Sequence, residues 1–129
     1  MTQEEKQLLL QDLCGRLPYK PKIQWDCADY DLLALENCEP LLARIIDDSP
    51  YSYAISKPLD EIKPYLRRMS SMTEEEVDEF TQFDVYSESE YIMPNYDAID
   101  WLNKKMFDYH GLIEKGLAIE APEEMYYSV

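Results

Sequence analysis

Between residues 22 and 56 the chain falls into short apolar runs separated by clusters of turn-forming residues, and in the first of these runs the apolar side chains recur at every second position. A helix needs a period near 3.6, whereas a half-buried strand needs a period of two, so the pattern favours an antiparallel sheet over this segment. Ile23, Trp25 and Cys27 alternate with Lys22, Gln24 and Asp26, and residues 30–36, 41–47 and 51–55 are further runs of aromatic, leucine and isoleucine residues. Residues 26–29, 36–40 and 47–50 supply the turns. Leu32, Leu33, Leu41 and Leu42 also suit a helix, but Pro40 and the polar residues before it interrupt one.

Helical signals flank the sheet. Thr2 and Glu5 make a capping box, and Leu9, Leu10, Leu13, Cys14 and Leu17 form an apolar stripe behind it, with Gly15 as the expected stop. Thr73 and Glu76 repeat the box, with Glu74 and Glu75 in the same first turn, where the helix dipole favours carboxylates. Val77 and Phe80 are the expected inward side chains. A third helix is expected from a cap at Asn95 through Tyr109, and Gly111 and Gly116 bracket a short turn. Pro58 to Leu66 reads as one helical turn leading into a last short strand.

The expected fold is therefore α+β in a single domain over residues 1–129. An N-terminal helix and lead-in (1–19) precede a small curled, SH3-like antiparallel sheet of four to five strands (20–68). Two to three C-terminal helices make up an acidic helical part (69–122), followed by a frayed tail (123–129).

Charge is segregated along the chain. Residues 1–68 hold 12 acids and 9 bases (−3), and residues 69–129 hold 15 acids and 3 bases (−12), which together give −15. Between Arg68 and Lys104 there is no base but ten acids: Glu74, Glu75, Glu76, Asp78, Glu79, Asp84, Glu88, Glu90, Asp97 and Asp100. A molecule of this charge repels nucleic acid and anionic membranes and favours a protein partner with a basic surface. The ten acids either solvate a helical face or imitate the phosphate rows of DNA. The one basic cluster, Lys57, Lys63, Arg67 and Arg68, together with nearby Tyr51, Tyr53 and Tyr65, supports the alternative of a small-barrel RNA-binding module.

Catalytic and metal motifs are weak. Cys14, Cys27 and Cys38 lie far apart, and with the single His110 they lack zinc-ligand spacing; they read as small apolar residues of a reduced protein. Asp29-Tyr30-Asp31 is only a fragment of a calcium loop. Three glycines cannot form a phosphate-cradling loop, and no cofactor is expected. The chain reads as non-enzymatic, with an orphan enzyme as a further alternative. No apolar stretch or leader points to a membrane or to secretion, so the expected location is cytoplasmic.

Three stretches together resemble a family of small uncharacterised proteins from gut Bacteroides genomes, their prophages and phages. They are residues 12–19 (Asp-Leu-Cys-Gly-Arg-Leu-Pro-Tyr), residues 62–73 (Ile-Lys-Pro-Tyr-Leu-Arg running into Ser-Ser-Met-Thr), and residues 100–122 (Asp-Trp-Leu-Asn through Gly-Leu-Ile-Glu-Lys-Gly-Leu-Ala). The family usually has proline where Arg68 stands and arginine where His110 stands. The resemblance carries no activity or cofactor. It implies a mobile-element setting, in which a small acidic protein inhibits a host nucleic-acid-handling or defence protein.

Overall fold

The computed structural model describes residues 1–36, 39–46, 49–82, 96–122 and 125–126, and for residues 44–46 and 49–53 only their backbone. Helix α1 (Gln3–Arg16) opens with the expected capping box: the Glu5 amide donates to Thr2 Oγ1 at 3.1 Å and the Thr2 amide donates to Glu5 Oε1 at 2.9 Å. Its buried face is Leu9, Asp12, Leu13 and Arg16, so two charged residues take places in the stripe where Cys14 was expected. Cys14 is exposed, as is Cys27.

Gly15 does not stop α1. The helix runs past it into a 3-10 turn over Leu17–Tyr19, and Lys20, in the left-handed region at φ 49°, ends the turn. A side chain at position 15 would put its Cβ 2.9 Å from Asn103 Nδ2. The glycine serves a close approach between two elements rather than a cap.

The sheet order is β4-β3-β2-β1-β5-β6. Strands β1 (Lys22–Trp25), β2 (Ala28–Glu36), β3 (Glu39–Ile46) and β4 (Ser49–Ser56) form an antiparallel meander. Strand β5 (Lys63–Leu66) then returns, after a 3-10 turn over Leu59–Glu61, to pair antiparallel with β1. Cys27 leaves the alternation: Trp25 pairs with Ala28, and Asp26 and Cys27 make the two-residue turn at φ 49° and 60°. A sixth strand, β6 (Ile119–Glu120), pairs parallel to β5 and makes the sheet mixed. Helices α2 (Glu74–Thr81) and α3 (Tyr96–Lys104) complete an α+β fold.

Leu9 and Leu13 of α1 pack with Ile23, Tyr30, Leu32, Leu42, Ile62 and Leu66 of the sheet region, and Met106, Leu112 and Leu117 close the core. Helix α3 ends five residues before the expected Tyr109, since the chain turns at Met106 (φ 63°) to lay Phe107 beside Arg67. There the Arg67 amide donates to the Met106 carbonyl at 2.7 Å, and the Asp108 amide donates to the Arg67 carbonyl at 2.8 Å. The expected cap at Asn95 lies outside the described residues.

The tail is not wholly frayed. The Tyr126 hydroxyl accepts from the Lys22 amide and donates to the Tyr65 carbonyl, both at 2.9 Å. Because Ile23 pairs with Pro64 and Gln24 with Lys63, the next rung would join Lys22 to Tyr65, and the hydroxyl takes that place.

Candidate functional site

Helix α2 begins as its sequence requires: the Glu76 amide donates to Thr73 Oγ1 at 3.2 Å and the Thr73 amide to Glu76 Oε1 at 3.0 Å. Glu76 is nevertheless not part of the acidic surface. Its carboxylate accepts from Arg67 Nη1 and Nη2 at 2.8 and 2.7 Å, and the two residues are only 9% and 4% exposed. The Arg67 hydrogen bonds hold Glu76 far below the usual carboxylate range, at about 2, although burial pushes the other way. Arg67 also lies 4.2 Å from the centroid of the Phe107 ring. The inward side chains of α2 are therefore Glu76 and the partly buried Phe80, while Val77 is 44% exposed, contrary to expectation.

Six of the ten acids are exposed on α2 and α3: Glu74, Glu75, Asp78, Glu79, Asp97 and Asp100. Asp84, Glu88 and Glu90 lie outside the described residues. Trp101 joins the two helices. Its indole Nε1 donates to Glu79 Oε2 at 3.0 Å, and its ring lies 5.7 Å from Phe80 and, stacked, 5.7 Å from Phe107. Asp100 accepts from the Tyr19 hydroxyl at 2.6 Å, which ties α3 to the 3-10 turn that follows α1 and raises the Tyr19 pKa. Tyr96, at the start of α3, is 92% exposed. The result is two adjoining acidic helices with one aromatic and one aliphatic side chain turned outward.

The basic cluster is dispersed. Arg67 is withdrawn into its pair with Glu76, which corrects its place in a nucleic-acid surface. Arg68 Nε lies 3.1 Å from Glu120 Oε2 at the surface, and Lys57 Nζ sits 4.2 Å from the Trp25 ring centroid. Lys63 is exposed on β5. Tyr65 donates its hydroxyl to Asp29 Oδ1 at 2.7 Å and is buried, so it offers no stacking face.

A second charged cluster lies under α1, where no site was expected. Arg16 donates through Nε and Nη2 to Asp12 at 2.8 and 3.0 Å and through Nη2 to the Phe107 carbonyl at 2.6 Å. His110 Nδ1 lies 2.7 Å from Asp12 Oδ1, and Tyr109 donates its hydroxyl to Asn103 Oδ1 at 2.7 Å. Burial opposes the charge on Asp12, but the bonds from His110 and Arg16 outweigh it and keep the carboxyl below its ordinary range. The four-residue spacing of Asp12 and Arg16 is visible in the sequence, but it reads there as a surface pair. A cleft of about 440 Å³ opens beside this cluster, lined by Arg68, Met69, Ser70, Asp108, Tyr109 and Glu114 among others. Asp108 is committed within the fold, accepting from the Leu112 and Ile113 amides at 2.8 and 2.9 Å.

No family model, curated protein or solved structure matches the chain. Residues 12–19, 62–73 and 100–122 meet in space: Gly15 and Arg16 from the first stretch and Arg67 from the second all approach residues 101–109 of the third. The two buried ion pairs of this junction, Arg16 with Asp12 and Arg67 with Glu76, are each joined by two hydrogen bonds. Among the described residues, no three His, Cys, Asp or Glu side chains converge as metal ligands would, and no helix is long and apolar enough to cross a membrane.

Proposed function

We propose that this chain is a small acidic protein-binding protein of a phage or mobile element that works in the cytoplasm. It inhibits a nucleic-acid-handling or defence protein by laying a DNA-like acidic surface into that protein's basic groove. One observation carries the reading: the Glu79–Trp101 hydrogen bond joins α2 to α3, so that six exposed carboxylates stand on adjoining helices rather than on independent ones. Val77 and Tyr96, exposed on the same two helices, supply apolar contact, as a protein-binding face requires and a merely solvated one does not. The role is one of binding, with no reaction step assigned to any residue.

The finer fold expectation belongs to the same proposal. The return of β5 to β1 after a meander, and the bulges between Leu32 and Ala34 and between Arg44 and Ile46, support an SH3-like curl, since bulges bend and twist the strands that carry them.

The test is capture of partners from host lysate by the tagged protein at low and high salt, with DNA as competitor. A basic DNA-binding protein that is retained at low salt and displaced by DNA is the expected result. Replacing Glu74, Glu75 and Asp78 with lysine, while leaving Glu79 to hold Trp101, should abolish that capture. Capture that survives both salt and the triple substitution would overturn the proposal.

A further inference from the structure

The two ends of the sheet differ in kind. Strand β6 is two residues long and carries Glu120, a short and charged edge of the sort that discourages pairing. Strand β4 is eight residues long and reads Ser-Pro-Tyr-Ser-Tyr-Ala-Ile-Ser, with no ionisable acid or base in a chain that is 30% charged. Among the described residues it pairs on one side only, with β3.

The register shows which backbone groups face outward. The Lys57 amide donates to the Pro40 carbonyl at 3.1 Å, so 40 and 57 are a hydrogen-bonded pair. Hydrogen-bonded and non-hydrogen-bonded pairs alternate along an antiparallel ladder. Leu42 with Ile55 and Arg44 with Tyr53 therefore share bonds, whereas Leu41 with Ser56 and Ala43 with Ala54 do not. The amides and carbonyls of Ala54 and Ser56 point away from β3, toward the open edge.

We infer that β4 is a self-association edge, pairing antiparallel with β4 of a second copy of this chain across a two-fold axis. Two observations favour a second copy. An uncharged strand is self-complementary in an antiparallel, isologous arrangement, because each outward amide meets the carbonyl row of an identical strand. The charge distribution also permits it. The six exposed acids of α2 and α3 are anchored beside Arg67, at the end of β5, through the Arg67–Glu76 pair and the Arg67–Phe107 bridge, and β3, β2 and β1 separate β4 from β5 in the sheet order. Two copies that each carry −15 meet most readily where the strand itself bears no charge. The inference is independent of the acidic-surface proposal, and a dimer of this form would present that surface twice.

Sedimentation of the full chain over a micromolar to millimolar range is the test, read with amide hydrogen exchange. The expected mass is twice the monomer's 15.3 kDa at the upper concentrations, with the Ala54 and Ser56 amides exchanging slowly in step with dimer formation. Ala54→Pro removes an outward donor without removing a bond to β3, and proline is tolerated on such an edge. This variant should keep the wild-type circular dichroism and stay monomeric. A wild type that remains monomeric throughout, or a dimer in which the Ala54 and Ser56 amides still exchange at open-edge rates, would overturn the inference. The exchange measurement decides even if the proline variant does not fold. Protection of those amides only on adding a different protein would assign the edge to that partner and equally overturn self-pairing.

Discussion

Arg67 and Glu76 face each other through two hydrogen bonds of 2.8 and 2.7 Å, and this pair draws one member from each of the two charge clusters that the sequence sets apart. Arg67 belongs by position to the basic patch and Glu76 to the acidic run. Their pairing beneath the start of α2 removes a cation from the patch and anchors the helix that carries four of the exposed acids. Glu76 also caps α2, so the same carboxylate holds the helix start and its anchor to β5.

Breaking the Arg67–Glu76 pair from one side should be severe. Arg67→Ala leaves Glu76 buried and uncompensated, and a loss of about 3–5 kcal/mol is expected in urea unfolding. Replacing both residues with apolar ones of similar volume should recover much of that loss, although the Thr73 cap contact would still be missing. A double-mutant cycle measures the coupling. A loss under about 0.5 kcal/mol for Arg67→Ala, the range of ordinary surface substitutions, would contradict the burial of this pair.

Acid should unfold the protein in a defined window. The Glu76 carboxyl titrates at about 2 in the folded state, against 4.5 ordinarily. A folded pKa that is depressed contributes stability above the unfolded pKa and loses it as pH falls toward the folded one. The contribution is therefore full above pH 4.5, is lost between 4.5 and about 2, and amounts to about 3 kcal/mol. Asp12, also held below its ordinary value, adds a loss of the same sign. Unfolding free energies at pH 7, 4.5 and 3 should fall across the last interval, with a shallower fall in Glu76→Gln.

Gly15→Ala tests the contact between α1 and α3. In an open helix interior this change stabilises by about 1 kcal/mol. Here the added Cβ would sit 2.9 Å from the Asn103 amide nitrogen, and Asn103 is buried and held by the Tyr109 hydroxyl. The expectation is a loss of about 1–3 kcal/mol, the usual range for overpacking. Adding Asn103→Ala should make Gly15→Ala less damaging than it is alone. A thermal midpoint that rises with Gly15→Ala would refute the close approach.

Tyr126→Phe removes the hydroxyl that stands in the β1–β5 ladder. The Lys22 amide loses its acceptor and the Tyr65 carbonyl its donor, and the expected destabilisation is about 1–3 kcal/mol with the aromatic ring retained. Burial raises the Tyr126 pKa, so this phenol should ionise at higher pH than an ordinary tyrosine in the folded protein, read as the difference in alkaline absorbance between wild type and variant. Limited proteolysis near the C-terminus should speed up in the variant.

Local interactions were legible in the sequence because the partners that make them are close along the chain. Both capping boxes depend on residues three apart, the β1–β2 hairpin on a turn expected over 26–29 that is in fact only Asp26 and Cys27, and the segregation of charge on counting alone. The sheet segment, the α+β class and the two glycines flanking the 112–115 turn, at φ 71° and 75°, follow from such rules. Only the tertiary structure decided which charges are surface charges. Asp12 meets His110 across 98 residues, Arg16 meets the Phe107 carbonyl across 91, and Tyr126 reaches Lys22 across 104. No local pattern encodes those distances. An amphipathic period marks a polar residue as outward, because burying a charge is costly unless a partner waits inside, and what Asp12 and Arg16 meet beyond each other, like the pairing of Arg67 with Glu76, is supplied only by the tertiary fold.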